Sequence, residues 1–394
     1  MNMIKKLAAD QAVKAALHFV ETQADTAVSR AIAVQQIPAP TFAEADRAAY
    51  IETQFRQLGL VDVDQDELHN VYGRFPSPQP LHPPVIVTAH SDTVFPADTD
   101  LTIRKENGRI YGPGLGDNST GVAGLFTLAD TLRQNHITLP ADIWFVANVG
   151  EEGLGDLNGM RRVVSQFGGD ATYLVIEGGL FGQISHQAIG VRRYRITVTA
   201  PGGHSWGQFG SASAIHVLGQ LIADIARLEV PASPKTTYNV GVISGGTSIN
   251  TIAQSAELLL DLRSEAPEAL AELESRVMVL ADQLAAAYRA QGVAVERQLI
   301  GNRPAGQLPA SHPLVQMAAD ALQFVGCANP RFVASSTDAN IPLSKGYAAV
   351  CIGLTESGNA HRLDEFMNPA QLVNGMQQVL LLILAAAKYW AFIK

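Results

Sequence analysis

Five stretches of the chain place imidazole or carboxylate groups where they could share one site. PVIVTA (84–89) leads into His90-Ser91-Asp92, DIWFVANV (142–149) into Gly150-Glu151-Glu152-Gly153, and TYLVIE (172–177) ends on Glu177 before Gly178-Gly179. Asp117 sits in the loop GPGLGDNSTG ahead of a helix-like stretch, and His361 follows the apolar run AAVCIGL (348–354) in Asn359-Ala360-His361. Carboxylates gathered at one point repel and raise one another's pKa unless cations neutralise them. Nitrogen and oxygen donors without a thiolate suit Zn²⁺, Co²⁺ or Mn²⁺. Five ligands with one bridging carboxylate can hold two such ions and leave positions open for water and substrate.

Those groups converge only if the apolar runs are strands of one sheet. Continuous apolar runs without alternation are strands buried on both faces, as in a mostly parallel sheet between helices. Open α/β sheets place their sites at the carboxyl ends of the strands, where these residues lie. GVAGLFTLADTLRQ (121–134) reads as a helix between the first two runs. Thr41 and Glu44 predict a capping box for the helix TFAEADRAAYIETQFRQL, with Gly59 ending it.

The middle of the chain has a different rhythm. It reads as strand (VRRYRITVTA), helix (211–229), strand (TTYNVGVIS), strand (AQSAELLLDLRS), helix (267–290) and strand (VAVERQLI). That βαββαβ order predicts a ferredoxin-like α+β unit. Pro201-Gly202-Gly203 and Asn302-Arg303-Pro304 supply hinge chemistry near its two ends. The expected class is α/β, a mostly parallel sheet sandwiched by helices (1–187 and 304–394), with the α+β unit inserted at 188–303.

Length and composition agree with two domains. The chain has 394 residues, more than one hydrophobic core usually serves, with 47% hydrophobic and 16% charged residues. A net charge of −9 leaves no basic footprint for nucleic acid or an anionic membrane, and Arg192, Arg193 and Arg195 read as one solvated strand face. Two cysteines, Cys327 and Cys351, suit a reducing compartment rather than a disulfide framework. The N-terminal stretch carries Asp10 and Lys14 where an export signal would be apolar, and VLLLILAAA falls short of the ~18 residues that span a bilayer. A cytoplasmic location with no membrane or nucleic-acid partner is expected.

As a set, HSD (90–92), GDNSTG (116–121), GEEG (150–153), EGG (177–179), GGHS (202–205), TDAN (337–340) and AHRLDE (360–365) resemble the signature blocks of the M20 metallopeptidase family. That family includes glutamate carboxypeptidase-like enzymes, aminoacylases, desuccinylases and tripeptidases. The blocks fall in its order, and the inserted unit lies where the family has its lid and dimerisation domain. The resemblance implies that His90, Asp117 and Glu177 bind one metal and Asp117, Glu152 and His361 the other, with Asp117 as the bridge. It implies that Asp92 orients His90, that Glu151 is the general base, and that His204 reaches into the partner subunit's site as an oxyanion donor. Asn250 and Arg263 are similar to lid residues that hold substrate, Arg263 by gripping a carboxylate. The implied enzyme is a two-metal amide hydrolase, zinc-dependent or using Co²⁺ or Mn²⁺, acting on small peptides or N-acyl amino acids as a homodimer through the inserted domain. In the family, Glu at the position of Glu177 accompanies carboxypeptidases and deacylases, and Asp there accompanies aminopeptidases. The lean is to the former, with a dipeptide or tripeptide aminopeptidase as the alternative.

Two other classes make different demands. Gly203-His204-Ser205-Trp206-Gly207 matches G-x-S-x-G, with Asp338 and His361 following in α/β-hydrolase order. A nucleophile elbow needs a helix directly after the Ser, whereas Trp-Gly-Gln-Phe-Gly intervenes here, and four carboxylates would be left without a role. A metal-stabilised binding protein without turnover would have lost the base or a ligand, and every such position is filled. GPGLG lacks the spacing and the Lys-Ser/Thr end of a phosphate loop.

Overall fold

The buried apolar runs form one central sheet. A computed structural model of the chain describes residues 2–390 and Ile393. The chain divides into two compact units, Met1–Ala188 with Gln307–Lys394, and Ile189–Gly306.

In the first unit the sheet takes in Val61–Gln65 (β1), Val71–Phe75 (β2), Val85–His90 (β3), Ile143–Asn148 (β4), Thr172–Glu177 (β5), Gln183–Ala188 (β6), Arg331–Ser335 (β7) and Ala349–Gly353 (β8). The strands lie in the order β1-β2-β4-β3-β5-β8-β6, and β7 pairs with β6. β3 is parallel to β4 and to β5, and β5 is parallel to β8, so the four central strands point the same way. Every residue of β3, β5 and β8 is buried. Successive side chains of a strand face opposite sides, so both faces of this sheet are covered. Because the central strands are parallel, His90 and Glu177 end neighbouring strands at the same edge, and Glu151 and Glu152 follow β4 there.

Helices Ala24–Gln35, Thr120–Gln134 and Leu372–Lys388 belong to the same core. The stretch Pro369–Lys388, 20 residues of mean hydropathy 1.5, is long and apolar enough to cross a membrane, unlike the nine-residue run considered in the sequence alone. Leu380 to Ala387 are all fully buried in the protein interior, which identifies a core helix. Gly375 is what lets it approach: a Cβ there would lie 1.8 Å from the Leu354 carbonyl oxygen.

The expected capping box is not formed. The helix runs Ala45–Gln57 without a side-chain cap. Thr41 Oγ1 instead donates to Asp92 Oδ2 at 2.9 Å, because the segment before the helix is pinned beside the end of β3 by a bridge between Pro40 and Thr93. Gly59, at φ +75°, does end the helix, its N–H donating to the Arg56 carbonyl.

The second unit is a four-stranded antiparallel sheet with two helices, Ala214–Ile225 and Pro267–Tyr288. The order is Thr236–Gly245, Ser255–Ser264, Gly190–Thr199, Ala294–Arg303, which is the ferredoxin-like arrangement for βαββαβ. Strand Ser255–Ser264 alternates strictly, burying Ala256, Leu258, Leu260 and Leu262 against Val217, Leu221, Leu273 and Val277 in a core of its own. The basic cluster divides between faces. Arg193 and Arg195 pair with Asp261 and Glu257 across neighbouring strands, while Arg192 reaches Glu274 of the long helix. Gly190 and Ala305 lie side by side, so the chain enters and leaves this unit at one place.

Candidate metal centre

Each ligand candidate of the first unit is delivered by the end of a strand or by a loop that other side chains hold. His90 closes β3 and is buried. Its Nδ1 lies 3.2 Å from the Asp92 carbonyl oxygen and 3.5 Å from Asp92 Oδ1. Its Nε2 faces Asp117 Oδ1 at 3.1 Å and Glu177 Oε2 at 3.6 Å.

Asp117 stands between two imidazoles. Its Oδ2 lies 3.3 Å from Nε2 of His361, and that nitrogen also lies 3.1 Å from Glu152 Oε1. Ligand atoms of His90, Asp117 and Glu152 all fall within 4.8 Å of one another, a group that could hold a metal ion. His361 holds a left-handed backbone, φ +66°, which costs a residue with a Cβ about 1–2 kcal/mol. Strain of this kind persists where the surroundings over-determine it, here at the end of an exposed turn aimed into the cluster.

Fully buried Asp92 joins the His90 strand to the GEEG loop. Its Oδ1 accepts the Glu151 amide and its Oδ2 the Glu152 amide, each at 3.0 Å. Burial by itself would raise this carboxyl, but the His90 imidazole and the two amides outweigh it and hold Asp92 below the ordinary range. Asn70 supports the same loop one residue earlier, accepting the Val149 amide at 3.0 Å. Glu151 is buried beside Glu152.

The electrostatics reveal a site short of positive charge. Asp117, Glu152 and Glu177 are carboxylates whose ionic partners, among the described residues, are the two imidazoles. Burial pushes Glu177 up to about 7. Burial alone would lower His90, but Asp117, Asp92 and Glu177 outweigh it and drive the imidazole well above its ordinary value. Hydrogen bonds to Asp117 and Glu152 lift His361 to about 10. The carboxylates thus favour positive charge at both imidazoles, and a donor set of imidazole nitrogens and carboxylate oxygens fits divalent cations.

Several residues that shape the cluster have no signal of their own in the sequence. Asn118 donates to the Ile176 carbonyl at 2.8 Å and accepts the Gly178 amide at 2.7 Å, gripping the backbone on either side of Glu177. Glu365, also buried, accepts amides from the Asp117 loop. Buried Asn148 donates to Asp338 at 2.7 Å. Asn118, Asp338 and Glu365 all fall inside motif blocks, and that membership is the signal that could have found them.

His204 and Asn250 come together in the second unit. Gly203-His204 pairs with Thr251-Ile252, and the Ser205 amide donates to the Asn250 carbonyl at 3.0 Å. His204 Nδ1 accepts the amides of Trp206 and Gly207. No helix starts at Ser205; the next begins at Ala214, so the turn is not a nucleophile elbow. Arg263 lies on the strand Ser255–Ser264, with its Nε 2.6 Å from Asp261.

A model of peptidase family M20/M25/M40 matches residues 86–385, which include all the ligand candidates and the whole second unit. The uncharacterized protein YqjE of Bacillus subtilis is 26% identical over 371 residues, covering 90% of this chain and 96% of that one. A probable carboxypeptidase of Aspergillus oryzae is 29% identical over 226 residues, and the match covers 51% of each chain, about half the length of that relative. The crystal structure of a tripeptidase from Staphylococcus aureus shares the fold with a TM-score of 0.77 at 24% identity, over 92% of this chain and 98% of its own. With three quarters of its length matched by the family model and the fold in agreement, this chain belongs to peptidase family M20/M25/M40.

Proposed function

We propose that the protein is a two-metal exopeptidase or N-acyl-amino-acid hydrolase that reads a free carboxylate on its substrate. One observation carries the reading: the two oxygens of Asp117 face different imidazoles, His90 at 3.1 Å and His361 at 3.3 Å, with Glu177 beside the first and Glu152 beside the second. Asp117 would then be the shared ligand, with His90 and Glu177 holding one ion and Glu152 and His361 the other. Zn²⁺ suits this donor set best, and Co²⁺ or Mn²⁺ also suit it. When bound, such ions supply Lewis acidity that polarises a carbonyl and eases the ionisation of water.

The chain's own residues do the rest. Glu151 accepts a proton from the attacking water and returns it to the leaving amine. Asp92 keeps the His90 proton on Nδ1, so that Nε2 presents its lone pair. His204 donates to the developing oxyanion: an Nδ1 that accepts two backbone amides leaves the ring proton on Nε2, free to donate. Asn250 and Arg263 hold the substrate, Arg263 through its carboxylate.

We infer a homodimer formed through the second unit, the lid and dimerisation domain. Its support is the exposed apolar side chains Trp206, Phe209 and Ile249, and an edge strand, Thr236–Gly245, that exposes Val242 and Ile243. The unbridged Cys327 and Cys351 fit a cytoplasmic location. The probable carboxypeptidase relative and Glu177 both favour a carboxypeptidase or deacylase; the tripeptidase neighbour favours the aminopeptidase reading.

The deciding experiment offers one dipeptide free, N-acylated and C-amidated, with Zn²⁺, Co²⁺ or Mn²⁺ supplied and a chelated control. Turnover of the N-acylated but not the amidated form is expected. The reverse makes the enzyme an aminopeptidase, and turnover that survives the chelator removes metals from the reaction.

A further inference from the structure

The loop that carries Asp117 is held by a carboxylate almost 250 residues further along the chain. Glu365 is 1% exposed. Its Oε1 accepts the amides of Gly116 at 2.8 Å and Asp117 at 2.9 Å, and its Oε2 accepts that of Gly114 at 3.2 Å. The backbone joins in, since the Glu365 carbonyl accepts the Gly112 amide at 2.9 Å. Gly114 turns the loop toward the carboxylate with φ +69°, a left-handed conformation that glycine adopts without penalty.

Three converging N–H groups are met best by an acceptor with no proton to offer. A carboxylate has four lone-pair positions and no donor, whereas the amide of Gln would turn an N–H₂ group toward at least one N–H. Burying a carboxylate is costly unless it is fully hydrogen-bonded, so its presence here signals that the loop geometry depends on it. The Asp117 amide is among the three, so the bond acts on the residue whose carboxylate faces both imidazoles.

The position of Glu365 ties two parts of the centre together. It lies four residues after His361, whose Nε2 faces Asp117 Oδ2 and Glu152 Oε1. One short segment therefore presents an imidazole to the cluster and fixes the loop bearing the shared carboxylate. We propose that Glu365 is a positioning residue: by clamping the amides of Gly114, Gly116 and Asp117 it sets Asp117 so that its two oxygens serve two cations at once. This inference rests on the two-metal reading.

The test is Glu365→Gln in the full chain, titrated with Co²⁺ in metal-free buffer and followed by ligand-field absorption and by bound metal per chain. Circular dichroism and thermal unfolding of the metal-free protein are measured alongside. Loss of an outer hydrogen bond to a ligand typically weakens metal binding by about 10–100-fold. The expected result is that loss for the Co²⁺ pair, with an altered spectrum and a retained fold. Unchanged Co²⁺ affinity and spectrum in folded Glu365→Gln, whatever the change in unfolding temperature, overturns the proposal and leaves Glu365 a structural residue. Should Glu365→Gln not fold, Glu365→Asp decides: it keeps the charge but draws it back by one methylene, and wild-type Co²⁺ binding in that variant equally overturns the proposal. Failure of the two-metal reading looks different, because the wild type itself then binds fewer than two Co²⁺ per chain.

Discussion

Neighbouring carboxylates in this protein are separated in role by what their backbone and side chains touch. Glu151 and Glu152 both give their amides to Asp92, and the Glu152 side chain meets His361, which is why Glu152 is grouped with the proposed ligands. Proton transfer is the role proposed for Glu151. Replacing it with Gln removes the proton acceptor but keeps volume and polarity, so kcat is expected to fall by about 10²–10⁴. Metal content measured by elemental analysis stays at the wild-type level. If metal content falls with activity, Glu151 is a ligand instead.

Elements matter through their ends and their closest approaches. Strands β3 and β5 are parallel neighbours, which brings His90 and Glu177 to one edge, and the segment before helix Ala45–Gln57 braces that edge through Thr41. Thr41→Val removes a donor to a fully buried carboxylate, for which about 1.5–3 kcal/mol of stability is expected to be lost, measured by urea unfolding of the metal-free protein. The helix Leu372–Lys388 packs so closely at Gly375 that a Cβ meets the Leu354 carbonyl at 1.8 Å. Gly375→Ala gains about 1 kcal/mol of helix propensity. Against backbone at that distance the clash dominates, and a net loss of about 1–3 kcal/mol is expected in the same unfolding experiment. A variant as stable as the wild type would show that the helix can slide away.

On the scale of the whole molecule, two hydrophobic cores divide the work. Ligand candidates all lie in Met1–Ala188 and Gln307–Lys394, and Ile189–Gly306 is a continuous insertion whose ends meet at Gly190 and Ala305. Within the first unit His186 and Leu308 are already joined, Nδ1 to carbonyl oxygen at 2.7 Å, so a short turn can close the gap. Replacing 190–305 with a Gly-containing turn is expected to leave a folded protein that still binds Co²⁺ but does not turn over, because His204, Asn250 and Arg263, the residues proposed to meet the substrate, are gone. Retained turnover would exclude those three residues from the reaction. Loss of Co²⁺ binding by a folded variant would mean that the metal site draws on the second unit.

Much of this was legible in the residues because local pattern and fold agree. Unbroken apolar runs announced β3, β4, β5 and β8, the βαββαβ order announced the second unit, and the positions of His90 and Glu177 at strand ends, with Glu152 shortly beyond another, followed from parallel order. What the sequence could not determine depends on contacts between distant segments. Thr41 has the spacing of a helix cap, but a buried carboxylate 51 residues away is the stronger partner. Glu365 and Asn118 look like ordinary loop residues until tertiary structure brings the Asp117 loop against one and the end of β5 against the other. Periodicity encodes which face of an element is buried, because burial depends on one element at a time. A clamp is decided by which two loops meet, and only the folded chain sets that.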